Sequence, residues 1–225
     1  MKVLSLNSSP RGGGQSKTEL MMNALVEGMR SAGAEVRVVD LRKRDVRNCI
    51  GCFKCWSDET PGICAQKDDM TNDLFPKYIE ADLVIMATPL YHFTVNATMK
   101  TFIERTLPIA KRDIKQHEGR SYHPLRVDPP AVVVVSVAGF AEDSVFDQLS
   151  SYMNFLYKKK LIAEIYRPAA ETMVFPNFKD SLKSVLEATR EAGRELVESQ
   201  KISPEIMARI KQPLIDSGAG VSLHP

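Results

Sequence analysis

The chain has 225 residues, 44% apolar and 26% charged, the makeup of a folded protein with one sizeable core. Those values exclude disorder, collagen and coiled coil as descriptions of the whole chain. Thirty Lys and Arg against 28 Asp and Glu leave a net charge of +2, too balanced for a nucleic-acid binder.

KVLSLN at 2–7 predicts a first strand, and SSPRGGGQSKT at 8–18 a turn. Leu20, Met21, Ala24, Leu25 and Met29 recur at helical spacing and predict a helix over 18–31, with Gly33 just past its end. VRVVD at 36–40 predicts a second strand. Strand, glycine-rich turn, helix, strand is the opening of a doubly wound α/β fold. Residues 48–64 show no periodicity and hold all four cysteines, the mark of a long functional loop. Asp68 and Asp69 are placed to cap a helix running to Ile79. DLVIMA at 82–87 predicts a strand buried on both faces, TPLYHF at 88–93 the turn leaving it, and 95–106 a helix.

Residues 107–130, with four prolines and Gly119, predict an irregular insertion. AVVVVSV at 131–137 is the strongest strand pattern, Ala138–Asp143 its exit turn, and 144–158 a helix. Short strands are expected at 161–166 and 172–175, a long helix at 180–200, then a short helix and a tail. The longest apolar run falls far short of a membrane span. The segment MKVLSLNSSP lacks the apolar region and cleavage site of a signal peptide, so a cytoplasmic location is expected.

The turn at 8–18 carries the first chemistry. A helix start presents unpaired N–H groups and the positive end of a dipole. The hydroxyls of Ser9, Ser16 and Thr18, with Arg11 and Lys17, add donors and positive charge suited to a phosphate monoester. RGGGQSKT keeps the Lys-Thr of a nucleotide-hydrolase loop but lacks both its glycines, at Arg11 and Ser16. A dinucleotide fingerprint aligned on Gly12 and Gly14 fails at Lys17. A mononucleotide phosphate is the better fit. Ligands of open α/β sheets sit outside the carboxyl ends of the strands, where TPLYHF and SVAGF (136–140) both fall. Three loops thus make walls for a phosphorylated flat cofactor.

These segments resemble the flavodoxin-like flavoproteins of the NADPH-dependent FMN reductase and iron–sulfur flavoprotein group. SSPRGGGQSKT resembles the group's first loop, with Ser8 in place of a glycine and Lys17 in place of an asparagine. ATPLYHFTVNATMKTFIER (87–105) and GICAQKDDM (62–70) resemble two further motifs of the group. The resemblance implies a flavodoxin-like three-layer sandwich around a five-stranded parallel sheet in order 2-1-3-4-5. It implies FMN as cofactor, with Ser9, Arg11, Ser16, Lys17 and Thr18 around the phosphate. Pro89, Leu90, Tyr91 and His92 would border the flavin ring, and Ser136, Ala138 and Gly139 its far edge. On this reading residues 1–200 form the FMN-binding domain, including the 48–64 loop and the 107–130 insertion, and 201–225 a C-terminal extension.

Cys49, Cys52, Cys55 and Cys64 make a C-x2-C-x2-C-x8-C pattern. The first three cysteines match a cubane-binding ferredoxin run, while the fourth cysteine lies farther off. A [4Fe–4S] cluster, free or buried thiols, zinc and a reversible disulfide all stay open. Trp56 is expected to anchor the loop. His92, His117, His123 and His224 show no metal-ligand spacing.

By resemblance, the expected activity is an FMN-dependent oxidoreductase. It would take electrons from NAD(P)H or a protein donor and pass them to a quinone, a flavin or another small acceptor. No dedicated catalytic acid or base is required. A homodimer or homotetramer is implied, with 107–130 as the candidate contact. One alternative is an iron–sulfur flavoprotein acting as electron carrier. Another is a flavin-binding or flavin-sensing protein without turnover.

Overall fold

The computed structural model describes residues 1–12 and 14–214; His224 and the rest of the tail lie outside them. The chain forms β1 (Lys2–Asn7), α1 (Lys17–Ser31), β2 (Glu35–Asp40), α2 (Phe75–Glu80), β3 (Leu83–Tyr91), β4 (Thr94–Val95) and α3 (Ala97–Glu104). It continues with β5 (Lys115–His117), β6 (Arg120–Tyr122), β7 (Ala131–Val137), α4 (Asp147–Tyr157), β8 (Leu161–Arg167), α5 (Lys179–Ser199) and α6 (Pro204–Lys211). The central sheet runs β2-β1-β3-β7-β8, all parallel, which is the expected order of five. Short β4 adds an antiparallel hairpin partner to the end of β3.

Strand alternation sorts the core into two layers. Val3, Ile85, Val133 and Val135 face α1, α5 and α6. Leu4, Val84, Met86, Val132 and Val134 face α2, α3 and α4. Both faces are covered, so β3 and β7 read as apolar runs over 83–87 and 131–135. Helices α1 and α5 cross at Gly28 and Gly193. A Cβ on either would overlap a carbonyl oxygen of the other helix, Arg190 or Leu25. Ile206, Ile210 and Leu214 bring the chain after 201 into the same core.

Three local expectations change. β3 runs on to Tyr91, so the turn is His92 and Phe93, both in the left-handed region at φ 46 and 63. Residues 172–175 are not a strand, because Ala169 at φ 50 turns the chain into a 3₁₀ segment over Ala170–Val174. The 107–130 insertion carries the exposed hairpin β5–β6. No helix among the described residues is long and apolar enough to cross a membrane.

Candidate cofactor cleft and cysteine pocket

The turn after β1 is held by its own polar atoms. Asn7 Oδ1 accepts the Ser9 N–H at 3.0 Å, and Ser8 Oγ donates to the Ala87 carbonyl at 3.1 Å. Asn96 caps α3 by accepting the Met99 N–H at 3.1 Å, and its Nδ2 donates to the Ser8 carbonyl at 2.6 Å. The first and second loops are therefore fixed to each other. Ser16 caps α1 by accepting the Glu19 N–H at 3.0 Å. That leaves the amides of Lys17 and Thr18 without an intrahelical acceptor.

The third wall is pinned in the same way. The Ala170 N–H donates to the Ala138 carbonyl at 2.8 Å, and the Ala169 N–H to the Phe140 carbonyl at 2.6 Å. These bonds carry Ala170 and Glu171 to the cleft. Lys17 Nζ donates to Glu171 Oε2 at 2.8 Å.

The walls enclose a cleft of about 110 Å³. Ser9, Arg11, Ser16, Lys17 and Thr18 line one end, and Pro89, Leu90 and Tyr91 the other. Ala138 and Gly139 also line it. Ten of the twelve expected flavin residues thus meet in one place. Two do not. Ser136 lies inside the sheet, fully buried with its hydroxyl unpartnered, and Val137 lines the cleft instead. His92 is exposed on the hairpin turn and does not line it.

The hydroxyl residues Ser9, Ser16 and Thr18 are all buried. Gly12 lets Arg42 lie against the turn, because a Cβ there would overlap the Arg42 guanidinium. That arginine, from the basic run at 42–47, also pairs with Asp40 at 2.8 Å. The enclosed volume is below the roughly 300 Å³ of an ordinary ligand pocket. It suits a phosphate end, with any attached ring resting on the open rim. Phe93 and Phe140, each within two residues of a lining residue, are exposed and stacked at 6.2 Å with their planes 12° apart. A larger groove of about 660 Å³ lies between α4, β8 and α6. Its acidic lining of Asp143, Asp147 and Glu164 is hostile to a dianion, and it does not adjoin the glycine turn.

The four cysteines line a second, smaller pocket of about 20 Å³. Cys49 and Cys52 are exposed, Cys64 is half-buried and Cys55 is buried. Burial, then the nearby Cys64, Cys52 and Cys49, push the Cys55 thiol above its usual value. Among the described residues, no three His, Cys, Asp or Glu side chains are gathered tightly enough to hold one metal ion. That differs from a zinc cage, where four sulfurs sit about 2.3 Å from a shared centre.

Trp56 anchors the loop between Phe53 and His123, at ring distances of 5.0 and 4.7 Å. The loop therefore packs on the 107–130 insertion. The Arg126 Nη2–H adds a bond to the Cys55 carbonyl at 3.4 Å.

Behind the pocket lies a buried ion pair. Arg105, at the end of α3, donates to Asp68 through Nη1 at 2.5 Å and Nη2 at 2.9 Å. Nη1 also reaches the Arg47 carbonyl at 2.6 Å, and Nη2 reaches Thr71 Oγ1 at 3.1 Å. Asp68 further accepts the N–H groups of Arg47 and Thr71, at 3.0 and 3.2 Å. So Asp68 caps the helical turn Met70–Leu74 that leads into α2, as expected, and also closes both ends of the cysteine loop. Burial works against its charge. The Arg105 hydrogen bonds and the two backbone donors outweigh that and hold its pKa at about 2.

A sequence profile described as NADPH-dependent FMN reductase matches residues 1–163. The chain belongs to the NADPH-dependent FMN reductase family. An iron–sulfur flavoprotein of Archaeoglobus fulgidus is 37% identical to this family member over 112 residues, 50% of this chain and 48% of its own. The chain spans about half the length of the first curated relatives it matches. An FMN-dependent NADH-azoreductase from Bacillus anthracis, solved with FMN, superposes with TM-score 0.63 at 16% identity, over 87% of this chain and 99% of its own. An NAD(P)H:quinone oxidoreductase from Methanothermobacter marburgensis gives 0.60 at 20% identity, over 87% and 96%. At such identities the likeness is one of fold, and the fold of this family member is flavodoxin-like.

Val137, Ala170, Glu171 and the choice of Asp68 as the partner of Arg105 were not foreseen. Val137 neighbours two residues that were, so its signal was local. Glu171 lies 154 positions from Lys17, and no spacing rule reaches that far. Asp68 and Arg105 each stood in a recognised motif, and nothing in either motif paired them.

Proposed function

We propose that this protein is an FMN-dependent oxidoreductase. It takes electrons from NAD(P)H or a protein donor and passes them to a quinone, a flavin or another small acceptor. The observation that carries this is the meeting of three separate loops in one cleft, with buried hydroxyls, helix-start amides and a lysine at one end. That donor set fits a phosphate dianion, and Gly12 admits the Arg42 guanidinium against the turn. Family membership supports the same cofactor.

When bound, FMN supplies the hydride and electron chemistry. The chain's own residues bind and orient. Ser9, Ser16, Thr18 and Lys17 hold the phosphate; Pro89, Leu90 and Tyr91 border the ring on one side, Ala138 and Gly139 on the other. Phe93 and Phe140 form an apolar roof where a nicotinamide and then an acceptor stack in turn. Two further proposals accompany this reading: the working form is a homodimer or homotetramer, and its location is cytoplasmic. The test is anaerobic mixing of FMN-loaded protein with NADH or NADPH, followed by a quinone. Bleaching of the flavin band and its return on adding quinone are expected. A band that neither nucleotide bleaches contradicts NAD(P)H as the donor and leaves only a protein donor.

A second reading has one observation in its favour. All four cysteines line a single pocket. Soft thiolates suit iron, and a cubane spreads its ligands over four irons, so it needs a wider set than zinc does. The outer wall, Cys49 to Phe53, is exposed. These residues would hold a [4Fe–4S] cluster and make the protein an electron carrier with two centres. Iron and sulfide at four atoms each per chain, in anaerobically purified protein, are expected on this reading.

A further inference from the structure

We propose that Arg105 is the hydrogen-bond donor that tunes the metal centre of the cysteine loop, with Asp68 as its clamp. This rests on the second reading above. An arginine has five N–H donors. Four of Arg105's are spent: two on Asp68, one on the Arg47 carbonyl and one on Thr71. The fifth, Nε–H, has no hydrogen-bond partner of normal geometry, although the residue is 2% exposed and its guanidinium interacts with the Cys64 sulfur. Buried donors are almost always satisfied, and an orphan calls for an explanation. Arg105 lines the same pocket as the four cysteines, so the partner of that N–H belongs there.

The charge argument agrees. A [4Fe–4S] cluster with four thiolates is anionic, and adding one electron raises its negative charge by one. A buried cation with a free N–H beside it favours that added charge. Hydrogen bonds to the sulfurs and burial are what set such potentials. Asp68 holds the guanidinium in place and offsets part of its charge. Arg105 is therefore the donor to the cluster and Asp68 the residue that positions it, and the two members of the pair push its potential in opposite directions.

The experiment uses the cluster-loaded holoprotein. Iron and sulfide are assayed first, then the midpoint potential is read by a dithionite titration followed by EPR. R105K keeps the charge and removes the Nε donor, so its potential is expected to move negative. D68N uncovers the cation, so its potential is expected to move positive. Opposite signs separate tuning from general damage, which moves both the same way.

Should both variants fail to fold, pulsed EPR on reduced wild type grown with ¹⁵N-arginine still decides. A nitrogen coupling from arginine supports the assignment. An intact cluster without that coupling, or potentials equal to wild type, overturns it. Protein that binds FMN but no iron when purified anaerobically removes the cluster reading, and this inference with it, while leaving the FMN reading in place.

Discussion

Glu171 holds Lys17 at 2.8 Å across the mouth of the cofactor cleft. The lysine side chain is 11% exposed and the glutamate 55%. The cation best placed for a phosphate is therefore already engaged by a carboxylate of the same chain. An arriving dianion must share that lysine or displace Glu171. Replacing the carboxylate by an amide removes the competitor and one like charge. E171Q should bind FMN more tightly, by about 3- to 10-fold, equivalent to about 1 kcal/mol. Quenching of flavin fluorescence measures this, and weaker binding would mean that Glu171 helps to hold the cofactor.

The rim aromatics make a separate prediction. Phe140 is 60% exposed, stacks on Phe93 and follows the cleft residue Gly139. An aromatic pair is worth about 0.5–1.5 kcal/mol beyond its buried area. F140A should raise the KM for a quinone about 2- to 10-fold and leave FMN affinity unchanged. Steady-state kinetics and FMN titration together check this. A loss of FMN affinity of similar size would make Phe140 part of the cofactor site.

The α1–α5 crossing depends on the absence of two side chains. In G193A the new methyl meets backbone, the Leu25 carbonyl and the Met29 N–H, and backbone cannot rotate aside. Overpacking of this kind costs about 1–3 kcal/mol. A fall in unfolding free energy of that size, read from the urea midpoint, is expected, with FMN binding kept in whatever fraction stays folded. Unchanged stability would mean that the two helices slide apart at no cost.

Much of this architecture was legible in the sequence, and the reason is local. β1, α1 and β7 follow from period-2 or period-3.6 patterns within single segments. The phosphate turn was legible because Ser, Gly and Lys stand together at a strand-to-helix junction. The misses share a different cause. Nothing in TPLYHF announces that His92 and Phe93 take left-handed backbone, since both are non-glycine residues. Ser136 was expected at the ring, but strand alternation turns it to the buried face that Val132 and Val134 share, opposite to Val137. The strand expected at 172–175 was lost to Ala169, whose positive φ a sequence does not reveal. Glu171 and the Asp68–Arg105 pair are tertiary contacts made by residues far apart in the chain.

The Asp68–Arg105 pair also predicts a pH dependence. The Asp68 pKa is lowered from 3.8 to about 2 in the folded state. Its contribution is thus fully present above the unfolded value and is lost as pH falls through the folded one. The shift corresponds to about 2 kcal/mol. D68N loses more at neutral pH, about 3–5 kcal/mol, because Arg105 is left buried without its partner. The gap in urea midpoint between wild type and D68N should therefore narrow as pH drops from 4 toward 2. A gap that stays constant over that range would contradict the ion-pair account.

The account stands or falls on a phosphate held at the β1–α1 junction. Its most direct test is a titration of flavin-free protein with FMN and, in parallel, with riboflavin, which has the same ring and no phosphate. The donors at Ser9, Ser16, Lys17 and Thr18 predict FMN binding about 100-fold tighter, or about 2.7 kcal/mol, with the advantage shrinking as salt rises. Equal affinity for the two, or binding of neither, would contradict the account.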